Sequence, residues 1–107
     1  DDIIYISTTV TPHKLLMILT TGEMQLLGSI NQYAKENPML EKINQSCLVN
    51  PKNIESIDLK QHRVQFINGD VEDFSRTSVQ KMKDLLSEYN YKTETLAKKE
   101  EENGNFA

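Results

Sequence analysis

The run of short elements between Ser46 and Lys83, SCLVNPKNIESIDLKQHRVQFINGDVEDFSRTSVQKMK, limits most sharply what this chain can fold into. Ser46-Cys47-Leu48-Val49 is a short apolar strand, and Asn50-Pro51 ends it because proline cannot donate to a ladder. Pro51-Lys52-Asn53 reads as a tight turn or a single helical turn. Ile54, Ile57 and Leu59 mark the next strand, and Arg63 to Ile67 alternates polar and apolar residues for most of its length. Asn68-Gly69 is a turn pair that favours positive φ, and Val71 to Phe74 is a further short strand. From Ser75, a plausible cap, the apolar residues Val79, Met82, Leu85, Leu86 and Tyr89 recur at three- and four-residue spacing. They predict an amphipathic helix of roughly four turns, with Arg76, Gln80, Lys81, Lys83 and Asp84 on its polar face. Strands this short need partners, and the preceding residues must supply them.

Those partners are legible. Ile3-Ile4-Tyr5-Ile6 reads as a strand bounded by Ser7-Thr8-Thr9. After Pro12 a second strand begins near His13 and runs through Leu15 to Thr20. Thr21-Gly22-Glu23 is a turn, and Met24 to Leu27 pairs back as a third strand. At Gly28-Ser29 the period changes: Ser29 is a suitable N-cap, Ile30, Tyr33 and Ala34 fall at helical spacing, and Pro38 stops the helix. Met39 to Asn44 leads into the Ser46 strand. The expected organisation is one domain over residues 2–91, followed by a charged extension over 92–107 that is helical to about Lys99 or disordered. A chain that opens directly on strand residues is expected to be a piece of a larger protein.

Composition bounds the chemistry. No apolar run approaches the ~18 residues of a membrane span, and the lone Cys47 has no internal disulfide partner, which fits a reducing cytoplasmic setting. Two His and one Cys lie far apart, so no metal cluster is expected, and the four glycines are isolated turn residues without a phosphate-loop or dinucleotide spacing. No cofactor is expected. Cys47 sits inside an apolar strand, where a thiol is usually inert packing, and Asp70, Glu72 and Asp73 lie at a hairpin tip, where acids are usually just solvated. His62 reads as a solvated strand-end residue. An enzyme is not expected. The formal charge of −4 counts mildly against nucleic acid, yet residues 3–91 carry nine basic against ten acidic side chains. Phosphate attraction is local at physiological salt, so the net charge does not decide the matter.

In order, DIIYI at the start, KINQSCLVN over Lys42 to Asn50, NIESID over Asn53 to Asp58, Asn68-Gly69, and Phe74-Ser75-Arg76 followed by Lys81-Met82-Lys83 resemble the LytTR family. This is the DNA-binding output domain of many bacterial response regulators. The resemblance covers about residues 2–88 and is closest to the subgroup that answers peptide pheromones in quorum sensing, through NIESID and the Ser-Thr-rich loop before His13. It implies a mainly β fold of elongated antiparallel sheets, with a helix on the edge after residue 75. It also implies that loops, not a recognition helix, enter the DNA grooves: Ser7 to Lys14, Lys42 to Ser46, and Phe74 to Lys81.

Transferred residue by residue, the resemblance makes Thr9, His13 and Lys14 DNA contacts of the first loop, His13 towards a base and Lys14 towards phosphate. Asn44, Gln45 and Ser46 are the contacts of the second, where the family more often has His followed by Arg or Asn; Gln can pair two-pronged with adenine. Ser75, Arg76, Thr77, Ser78 and Lys81 are those of the third. There Arg76 reads a base, or it clamps phosphate while Thr77 touches a thymine methyl; both readings stay open. Asn44-Gln45 in place of His-Arg removes a cation and implies a smaller salt dependence than in relatives with Arg. The implied partners are double-stranded DNA with two direct repeats in a promoter, a second copy of the chain on that DNA, and a receiver domain, with no membrane. A different class of reading is a small β-rich protein-interaction module without nucleic-acid binding, supported by the acidic balance. A hydrolase using Cys47 has only the thiol behind it.

Overall fold

The computed structural model describes residues 2–91; the expected extension over 92–107 lies outside the described residues. The chain divides after Ile54 into two compact units.

The first unit is built on a five-stranded antiparallel sheet in the order β3-β2-β1-β5-β4. β1 (Ile3–Thr8), β2 (Lys14–Leu19) and β3 (Gly22–Leu27) form the meander. β3 starts earlier than its apolar residues indicate: Thr20 and Thr21 alone make the turn, and Leu19 pairs with Gly22. Helix α1 (Ile30–Glu36) follows, capped by the Ser29 hydroxyl, which accepts from the Gln32 N–H at 3.1 Å. β4 (Glu41–Asn44) returns as an edge strand against β5 (Cys47–Val49), which pairs on its other side with β1. The sequence hides β4, because EKIN holds one buried residue, Ile43, and otherwise polar side chains suited to an edge.

Ile6, Leu15 and Leu48 meet Ile30 and Leu40, so α1 covers one face of this sheet. Tyr5, Cys47 and Val49 lie on the opposite face and are also buried. A 3-10 turn (Pro51–Asn53) closes the unit. There Asn50 and Asn53 both donate side-chain N–H groups to the Ile3 carbonyl, at 2.9 and 2.6 Å. The Val-Asn of the sequence motif thus has a structural role, in which Asn50 ties the end of β5 to the start of β1.

The second unit carries a three-stranded sheet of β6 (Ile54–Asp58), β7 (Arg63–Phe66) and β8 (Val71–Asp73), in that order. Ile57, Val64, Phe66, Phe74, Met82 and Leu85 supply its buried apolar residues. The Asp58 carboxylate is 5% exposed and accepts from the Lys60 and Gln61 N–H groups at 3.0 and 2.9 Å, which turns the chain between β6 and β7. The closing helix is shorter than its periodicity suggests. A 3-10 turn occupies Arg76–Ser78, and α2 runs only from Val79 to Glu88. The cause is local. The Ser75 hydroxyl bonds the hydroxyls of Thr77 and Ser78, at 3.1 and 2.9 Å, and caps no backbone N–H, so the first turn closes through the Ser78 N–H to the Ser75 carbonyl instead.

Candidate nucleic-acid interface

Two of the three candidate segments lie in the first unit, where the sheet brings them together. The first is shorter than expected, because Ser7 and Thr8 complete β1 and Lys14 begins β2; only residues 9–13 form the loop. Pro12 fixes the approach, and His13 then sits at φ 63°, in the left-handed region that L residues with a Cβ rarely adopt. The second is a two-residue turn, Gln45-Ser46, with Lys42 and Asn44 inside β4. The Asn44 side-chain Oδ1 accepts from the Ser46 N–H at 2.6 Å, so this side chain shapes the turn and leaves Gln45 exposed at its tip. The Thr8 N–H donates to the Ser46 carbonyl at 3.0 Å, joining the base of the first loop to the second.

Between them opens a cavity of about 330 Å³, bordered also by the start of α1. His13, Lys14, Lys42, Gln45 and Asn31 line it, and none of its lining residues is Asp or Glu. The chain carries sixteen acidic residues against twelve basic ones, yet two lysines and no carboxylate border this concavity. Of the candidates named from the sequence, Thr9, His13, Lys14 and Gln45 line it; Asn31 lines it too and was not among them. The Asn31 side-chain Oδ1 accepts from Lys42 Nζ at 3.0 Å and so helps to direct that ammonium. No motif marks Asn31, whose only signal is its place two residues after the Ser29 cap. Thr9 is half-buried, with its hydroxyl turned to its own loop, where it lies 2.8 Å from the Lys14 carbonyl.

The third segment belongs to the second unit. Phe74 is buried and stacks on His62, ring centroids 5.1 Å apart, while the Phe74 N–H donates to the His62 carbonyl at 2.9 Å. His62, expected as a solvated strand end, is half-buried and sits at φ 57°. This pair fixes where the chain leaves β8. Arg76 and Thr77 then stand exposed on the 3-10 turn, Ser78 is buried, and Lys81 lies half-buried in the first turn of α2. Among the described residues no carboxylate pairs with Arg76. The nearby strand pair β7–β8 carries the exposed Arg63–Asp73 ion pair at 3.7 Å. On β8 the Glu72 carboxyl is held above its ordinary pKa, mainly by burial and further by Asp73 and Asp70.

Among the described residues no group of three His, Cys, Asp or Glu side chains converges as a metal site, and no helix is long and apolar enough to cross a membrane. Cys47, the residue behind the hydrolase reading, is fully buried within β5.

Residues 1–87 match the family of the LytTr DNA-binding domain. The chain is also similar to accessory gene regulator protein A of Staphylococcus epidermidis, with 30% identity over 70 residues. It is similar to the protein of that name from Staphylococcus aureus, with 29% identity over 68 residues. These stretches cover 65% and 64% of this chain but only 29% of each relative, so the chain spans under a third of their length.

Proposed function

The chain belongs to the LytTr DNA-binding domain family, a family of transcription regulators, and we propose that it reads double-stranded DNA with the ends of its strands rather than with a recognition helix. One observation carries this reading: the His13 loop and the Gln45 turn converge on a single concavity that holds two lysines and no carboxylate. A DNA backbone is drawn to such a surface whatever the net charge of the chain, because screening confines each charge to its neighbourhood. His13 and Gln45 are the groups placed to meet base edges, and Lys14 and Lys42 suit phosphate. Asn44 acts by shaping its turn. In the second unit the exposed Arg76 guanidinium contacts a base or a phosphate, and Thr77 beside it can present its methyl to thymine. In the first unit Ser46 is a hydrogen-bonding neighbour of these contacts; in the second Ser75 and Lys81 are, while Ser78 is buried with its hydroxyl on Ser75.

The wider setting rests on the similarity to accessory gene regulator protein A. In that setting the chain is the output part of a cytoplasmic two-component response regulator in quorum sensing, joined to a receiver domain, and two copies bind neighbouring direct repeats. Fluorescence titration of a direct-repeat promoter duplex at two salt concentrations tests the reading. Affinity should fall as salt rises, and His13→Ala and Arg76→Ala should each weaken it by about 1–3 kcal/mol if each reads a base. Binding that is insensitive to salt, or unchanged in the double variant, refutes the proposal and favours a protein-interaction module.

A further inference from the structure

The first loop holds an exposed candidate contact in an unfavourable backbone conformation, and three hydrogen-bonding arrangements surround that residue. His13 at φ 63° is a non-glycine residue in the left-handed region, a costly state that persists only where neighbours over-determine it. The Gly28 N–H donates to the carbonyl of His13 itself at 2.8 Å. The Lys14 N–H donates to the Thr11 carbonyl at 3.2 Å, closing the four-residue turn that has Pro12 and His13 at its centre. The Thr9 hydroxyl spans the mouth of the loop: it accepts from the Thr11 N–H at 3.2 Å and donates to the Lys14 carbonyl at 2.8 Å. Of the three, only the last uses a side chain, and it reaches back to the base of the loop at Thr9.

We infer that Thr9 is a positioning residue, which presets His13 for DNA without contacting DNA itself. The inference rests on the reading of His13 as a DNA contact. A hydroxyl engaged with two backbone groups of its own loop has little capacity left for a phosphate or a base, since it offers one proton and two lone pairs. Without the brace, the loop relaxes towards conformations with His13 at negative φ, which turn its imidazole away from the orientation held in the structure. Binding then bears the ordering cost that the brace has already met.

The test is a double-mutant cycle on the full chain with Thr9→Val, His13→Ala and both together. The probe is a duplex selected by the wild-type protein from a randomised library, set against a scrambled duplex of the same length. Thr9→Val should weaken binding of the selected duplex by about fivefold or more, the lower end of the loss for a base contact. It should leave the scrambled duplex unaffected and change binding by less than about twofold once His13 is alanine. Thr9→Ser, which keeps the hydroxyl, should restore most of the affinity. Amide exchange at Lys14 and Gly28 should quicken in Thr9→Val, with the rest of the first unit unchanged. An undiminished Thr9→Val effect in the His13→Ala background overturns the positioning role alone, because Thr9 then acts on DNA directly. Thr9→Ser as weak as Thr9→Val, or unaltered exchange at Lys14 and Gly28, also overturns it. If His13→Ala leaves affinity unchanged, the DNA reading of the loop falls, and the role of Thr9 in it falls too.

Discussion

Replacing Asn50 is the most exacting test of how the first unit is held together. Its side chain is 2% exposed and engaged at both polar atoms: Nδ2 donates to the Ile3 carbonyl at 2.9 Å, and Oδ1 accepts from the Lys52 N–H at 3.1 Å. Asn50→Ala deletes both bonds. A net hydrogen bond is worth about 0.5–1.5 kcal/mol. The Ile3 carbonyl keeps its bond from Asn53, so it is not orphaned, and the loss should be about 2 kcal/mol. Asn50→Asp is nearly isosteric but should cost more at neutral pH. It keeps an acceptor for Lys52, yet it sets a buried carboxylate against the Ile3 carbonyl. Its folded-state pKa must therefore rise above the unfolded value of about 3.9. The sign follows: a raised folded pKa means that the folded state binds the proton more tightly. The charge penalty is thus absent below the unfolded pKa and grows as pH rises towards the folded one, by about 1.4 kcal/mol for each pH unit that separates the two. A folded pKa near 6 would make the penalty about 3 kcal/mol at pH 7, on top of the lost donor bond. Urea unfolding of wild type, Asn50→Ala and Asn50→Asp between pH 4 and 8 measures it. If Asn50→Asp matches wild type at pH 7, or loses no stability relative to Asn50→Ala as pH rises, the role given to this side chain is wrong.

Other perturbations follow from the same structure. Gly28→Ala should destabilise by about 1–3 kcal/mol in thermal or urea unfolding, because φ 134° is glycine territory and the added Cβ would lie 3.1 Å from the Tyr33 ring; a neutral result would mean that the corner relaxes freely. Glu72→Gln should raise stability at neutral pH and lose that advantage as pH falls through the carboxylate range, since the wild-type carboxyl has a raised folded pKa and penalises the fold only when charged. Met82→Ala, at a fully buried position of α2, should cost about 2–5 kcal/mol in urea unfolding. Cys47 should resist a thiol reagent in the folded protein and react on unfolding; rapid labelling of the native chain would revive a chemical role for it.

Much of the fold is written locally. The β-branched and aromatic run Ile3 to Ile6, the Ser29 cap, the Asn50-Pro51 stop and the Asn68-Gly69 turn each act through their own backbone preferences, and the elements lie where those preferences put them. β4 is not legible in the same way, because an edge strand of polar residues exists only by pairing with β5. The helical turn at Arg76 escapes local reading for a related reason. Periodicity reports which face is buried, but the Ser75 hydroxyl bonds those of Thr77 and Ser78 and so decides how the first turn closes. The candidate site divides along the same line. Residue type and motif order mark His13, Lys14 and Gln45. Only the sheet, by setting β1 between β2 and β5, brings the His13 loop beside the Gln45 turn and places Asn31 and Lys42 at the same concavity. Thr9 shows the difference most plainly: its sequence offers a hydroxyl in a loop, and the closed turn commits that hydroxyl to Thr11 and Lys14. Sequence sets what each residue can donate, accept or bury; contacts between residues distant in the chain depend on which strands pair, and only the folded chain fixes that.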